Sequence, residues 1–71
     1  MNEYPTKARE KTTLGWIENN EIFKLGANSK RVFERIGYDR STKKYECKDL
    51  TDISVIKYFD AEKVVFTDFE F

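Results

Sequence analysis

Arg31-Val32-Phe33-Glu34-Arg35-Ile36-Gly37-Tyr38-Asp39-Arg40-Ser41-Thr42-Lys43-Lys44-Tyr45-Glu46-Cys47-Lys48 is the stretch whose periodicity decides the fold class. Residues 44–48 alternate polar and apolar side chains without a break, the period of two that a half-buried strand imposes. Tyr45 and Cys47 are therefore expected inward, with Lys44, Glu46 and Lys48 toward water. Residues 31–38 read as the longest strand, with Val32, Ile36 and Tyr38 on one face and Phe33 and Arg35 on the other. Glu34 falls on the apolar face in that register, so the pattern predicts a bulge or an early bend near Gly37. The polar residues 39–43 between the two runs supply a hairpin loop.

Both flanks carry further short strands. Upstream, Gly26-Ala27-Asn28-Ser29 marks a break, because glycine and asparagine tolerate the left-handed backbone of tight turns. Before it lie the strand Ile22-Phe23-Lys24-Leu25, the turn signal Asn19-Asn20, and the β-branched and aromatic run Thr12-Thr13-Leu14-Gly15-Trp16-Ile17-Glu18. Trp16 is expected to be a core or rim aromatic. Residues 1–11 are polar, contain Pro5 and lack a sustained apolar period, so they read as a flexible N-terminal arm that gives little to the core. Downstream, Thr51-Asp52 is a turn and Ser54-Val55-Ile56-Lys57-Tyr58-Phe59 a fourth apolar strand. Asp60-Ala61-Glu62-Lys63 is expected to form one short 3₁₀ turn capped by Asp60, after which Val64-Val65-Phe66 closes the sheet. The tail Thr67-Asp68-Phe69-Glu70-Phe71 keeps alternating and is expected to extend the sheet or pack on its edge. Residues 12–71 thus read as a single all-β domain, a small five-stranded barrel.

A chain of 71 residues buries only about 60% of the surface it exposes when unfolded. Its core must pack efficiently, since the lone Cys47 cannot form an internal disulfide and the absence of histidine removes the usual zinc ligands. Six Phe, four Tyr and one Trp suit that task. Cys47 is expected to be a small buried core residue. Met1-Asn2-Glu3-Tyr4-Pro5 lacks the layout of a signal peptide, and no apolar run approaches the length of a membrane span. A cytoplasmic location is the expectation, and the unpaired thiol suits a reducing compartment.

Without histidine, nucleophilic triads lose their usual base, and the few glycines form no phosphate-cradling motif. The carboxylates Asp49, Asp52, Asp60 and Glu62 sit at turns, where capping and solubility explain them. No catalytic site, metal site, cofactor or small-molecule substrate is expected. Thirteen basic and thirteen acidic residues cancel overall, yet they are segregated. Residues 24–48 hold eight basic against three acidic side chains, a net of +5, and residues 49–71 carry a net of −4. Arg35, Tyr38, Arg40, Lys43, Lys44 and Lys48 form the candidate binding set: cations could meet phosphates while the ring stacks on a base, or could meet an acidic protein surface. The competing reading is a solvated face whose lysines deter edge-to-edge aggregation. Phe69 and Phe71, odd as free ends, are candidates for self-association.

The segments Ile22-Phe23-Lys24-Leu25-Gly26, Arg31-Val32-Phe33, Tyr45-Glu46-Cys47-Lys48-Asp49-Leu50, Tyr58-Phe59-Asp60 and Lys63-Val64-Val65 resemble a group of small proteins encoded by phages and integrated mobile elements. The resemblance covers the last fifty residues or so. It implies an SH3-like barrel and a mobile-element origin, and it transfers no functional residue. The expected role is a non-enzymatic module that binds another protein or itself, as an accessory or host-interacting protein of a phage or mobile element. The alternative is a weak nucleic-acid binder that uses the basic hairpin.

Overall fold

A computed structural model describes residues 6–52 and 55–70. Met1 to Pro5, Ile53, Ser54 and Phe71, with the expectations attached to them, lie outside the described residues. Six strands follow one another among those described: β1 (Glu10–Thr13), β2 (Ile22–Phe23), β3 (Phe33–Asp39), β4 (Lys44–Asp49), β5 (Ile56–Phe59) and β6 (Val64–Thr67). All pairings are antiparallel, with β2-β3-β4-β5 in one sheet and β1-β6 in the other. The all-β class holds, but six strands in two sheets replace the expected five in a closed barrel. Because β2 is only two residues long, the sheets join through one bridge. There Lys24 and Phe66 exchange both backbone hydrogen bonds at 2.8 Å.

The β3-β4 hairpin follows its sequence closely. Its register slips between Arg35 and Gly37, leaving Ile36 without a partner at the expected bulge. That slip corrects the face assignment. Beyond it Tyr38 pairs with Tyr45, and so joins Phe33, Arg35 and Cys47 on the inner face instead of sharing one with Val32 and Ile36. The core is accordingly built on Phe33. Phe23 stacks on Phe33 with ring centroids 5.7 Å apart, and Phe59 meets both rings edge-on at 6.4 and 5.6 Å. Leu14, Ile17, Cys47 and Val65 complete the buried cluster, with Leu25 and Tyr45 against its rim. Each aromatic pair contributes roughly 0.5–1.5 kcal/mol beyond its buried area.

Three other expectations are corrected. Residues 6–11 of the expected flexible arm are tied down, because β6 offers them an open edge. Glu10 and Lys11 pair with Thr67 and Phe66, Arg9 N–H donates to the carbonyls of Thr67 and Asp68, and Ala8 is buried. The 3₁₀ turn lies at Leu14–Trp16 and not at residues 60–63, which make a simple turn closed by Lys63 N–H on the Asp60 carbonyl at 3.0 Å. Trp16 is neither core nor rim, since 83% of it is exposed. Side chains three apart eclipse in a 3₁₀ turn, so Leu14 and Ile17 sink together and Trp16 is turned out. Gly15 lets this turn lie against the loop before β6: its N–H reaches the Ala61 carbonyl at 2.9 Å, and a Cβ there would come within 3.2 Å of the Ala61 methyl.

Candidate interaction surface

Arg35 is the cation that organises one end of the inner face. Its Nη1 donates to the carbonyl oxygens of Leu14, at 3.1 Å, and of Ile17, while Nε donates to Asn19 Oδ1 at 3.1 Å. The guanidinium carbon lies 4.1 Å from the centroid of the Tyr45 ring, a cation–π geometry. Tyr45 in turn meets Tyr38 at 4.9 Å with the rings inclined by 60°. The turn bearing Trp16 is thereby pinned to the β3-β4 hairpin that carries the two tyrosines. Trp16 and Tyr38, the latter 50% exposed, are the open aromatics of this end.

The six residues of the basic candidate set do not share one face. Arg35 spends Nε and Nη1 inside the molecule, and Tyr38 packs beside it through Tyr45. Lys44, at the start of β4, is exposed, as are Arg40 and Lys43 in the hairpin loop. The loop is set by Asp39, whose Oδ1 accepts from the Ser41 amide at 3.0 Å and the Ser41 hydroxyl at 2.7 Å. Those bonds, the hydroxyl's first, hold the Asp39 carboxyl below its ordinary range. Lys43 closes the loop in the left-handed region, with φ of 58°. Lys48 sits on the opposite, outer face of β4, half-buried between Glu34 and Ile56 on the neighbouring strands.

Phe69 is half-buried and lies beneath Lys24, whose ammonium is 5.0 Å from the ring centroid and donates to the Thr6 carbonyl at 2.7 Å. Burial pushes the Lys24 ammonium below its usual value. Thr6 also exchanges bonds with Glu70: its amide donates to the Glu70 carbonyl at 2.9 Å, and the Glu70 amide to its hydroxyl at 2.7 Å. Phe69 therefore packs on its own domain, whereas Phe71 is outside the described residues. Asp49 is also removed from the surface. It is fully buried, with Oδ2 2.6 Å from Arg31 and Oδ1 accepting from Thr51 and Asp52. Cys47 is a buried thiol pushed up to about 11 by that burial, an effect Arg35 opposes and Glu46 reinforces.

Reasoning from sequence missed Trp16 as an open side chain and missed Ile56 and Tyr58, which are 42% and 46% exposed on the outer face of β5. The pair Leu14 and Ile17 was the available signal for the first. No cluster of metal-ligating side chains occurs among the described residues, and no described helix is long and apolar enough to cross a membrane. Neither a protein-family model, nor a curated protein, nor a solved structure matches the chain.

Proposed function

We propose that the chain is a non-enzymatic protein-interaction module whose principal contact is the aromatic end formed by Trp16, Tyr38 and Tyr45. The observation that carries this reading is the 83% exposure of Trp16 on a turn whose carbonyls are bound by Arg35. A large ring left open on a loose loop would be unremarkable. Held on a clamped turn, it presents apolar area without the backbone-ordering cost that a mobile loop meets on binding. Arg40 and Lys43, exposed in the hairpin loop that follows Tyr38, favour a partner with acidic character around the aromatic contact. The Lys24–Phe66 bridge, which joins the two sheets, supports an SH3-like reading of the architecture. The quoted sequence resemblance supports an accessory or host-interacting role in a phage or mobile element.

This reading is preferred to nucleic-acid binding because the basic set is divided, with Arg35 internal and Lys48 on the outer face. The test is affinity capture with the unaltered chain and with Trp16→Ala. That exposed substitution should change stability by no more than about 0.5 kcal/mol while abolishing capture of any partner that docks on this end. Titration with DNA and RNA at low and high salt is the counter-test. Binding that weakens steeply with salt and is unaffected by Trp16→Ala would replace the protein-binding reading with phosphate contact.

A further inference from the structure

We propose that the outer edge of β5 is a strand-addition site for an extended segment of a partner protein, patterned apolar, acidic, apolar. The inference rests on the reading of the chain as a protein-interaction module but uses a surface separate from Trp16. Among the described residues β5 is an edge strand, paired with β4 and with nothing on its other side. Its polarity follows from the ladder. The Asp49 amide donates to the Val55 carbonyl at 3.1 Å, so in the register that pairs Cys47 with Lys57 and Tyr45 with Phe59, Lys57 and Phe59 turn their backbone groups toward β4. Ile56 and Tyr58 consequently direct their N–H and C=O groups away from the sheet. Their side chains are the exposed apolar ones on the outer face, 42% and 46% open, standing beside Lys48 and Glu46. Unmet backbone groups and unmet apolar area thus coincide at the same two residues, which is what strand addition uses for affinity and for side-chain selection.

Lys57 decides the occupant. Lying between Ile56 and Tyr58, it is exposed and projects to the inner face of β5. A second copy aligned by two-fold symmetry so that Ile56 and Tyr58 exchange hydrogen bonds would set Lys57 directly against its own counterpart. Directly opposed like charges disfavour that pairing, and an edge lysine is a known guard against it. A partner strand with a carboxylate opposite Lys57 turns the same position into an attractive pair, while its two flanking side chains cover Ile56 and Tyr58. In that register the edge disfavours its own copy, whereas it accepts an acidic-centred strand.

The test is NMR titration of the 15N-labelled full chain with two blocked peptides, acetyl-Thr-Val-Glu-Val-Thr-amide and the same peptide with lysine in place of glutamate. The Ile56 and Tyr58 amides should shift and exchange more slowly on addition of the glutamate peptide, with about fivefold weaker response to the lysine peptide. Lys57→Glu should reverse that preference, and Trp16→Ala should leave it intact. Equal responses to both peptides, shifts confined to other residues, or Ile56 and Tyr58 amides already protected in the free chain would overturn the proposal. A dimer by light scattering with that edge protected would assign it to a second copy instead. Peptide binding absent while capture still depends on Trp16 would sink this site alone, and peptide binding retained while capture is unaffected by Trp16→Ala would sink the aromatic-end reading alone.

Discussion

Arg35 shows how little a residue's charge reveals about its use. In the sequence it belongs to a basic hairpin, yet its guanidinium holds two carbonyls of the turn that carries Trp16, binds Asn19 and lies on Tyr45. A planar fork can serve two carbonyl acceptors and a ring at once, whereas an ammonium is a point donor on a flexible stem. Arg35→Lys should therefore behave as a loss of function at this position, costing about 2 kcal/mol in urea unfolding. It should also release the turn, seen as a change in Trp16 fluorescence anisotropy. Stability and anisotropy equal to the unaltered chain would mean that charge alone suffices. Alternation did identify Cys47 as inward, because one strand with one wet face carries that information locally. It could not identify Arg35 as a clamp, because the two carbonyls it holds lie 18 and 21 residues away, on the backbone of another segment.

At the scale of elements, the turn after β4 is held by a single carboxylate. Asp49 is buried, which by itself would raise its pKa, but the bonds from Thr51, Arg31 and the amides of Thr51 and Asp52 outweigh that and hold it below the ordinary range. A depressed carboxyl contributes stability that is complete above its unfolded value of about 3.9 and is lost as pH falls through the folded value. Melting temperature should fall over that acidic window in the unaltered chain. In Asp49→Asn it should be lower at neutral pH and flatter toward acid, and parallel curves for the two chains would assign the acid sensitivity to other groups. The β3-β4 hairpin was legible because alternation and a polar loop report on neighbouring residues, and its bulge was placed near Gly37 although Glu34, which suggested it, lies properly on the outer face opposite Lys48. The 3₁₀ turn was not: residues 60–63 offered a plausible cap, and the deciding fact, that Leu14 and Ile17 both reach the core, depends on the sheets they enter.

The whole molecule depends on pairings between the ends of the chain, which no local period encodes. β1 lies on β6, Thr6 is bound to Glu70, and Lys24 bridges the two sheets in backbone while its ammonium rests between the Thr6 carbonyl and the Phe69 ring. Read locally, residues 6–11 are a polar arm and Phe69 a spare aromatic; only closure of the chain gives both a partner. This arrangement gives the tail a structural role that competes with self-association, and the two separate cleanly. If Phe69 covers Lys24 within one molecule, Phe69→Ala removes a half-buried ring and its cation–π contact. The expected cost is about 1–2 kcal/mol, or roughly 4–16 °C in melting temperature for a domain of this size, at unchanged mass by light scattering. If the ring instead joins two molecules, the same substitution should lower the mass of an associated species and make the melting temperature of the unaltered chain depend on its concentration. The hydrogen bonds of Thr6 to Glu70 and of Arg9 to Asp68 favour the first outcome, since they already hold the backbone on both sides of that ring.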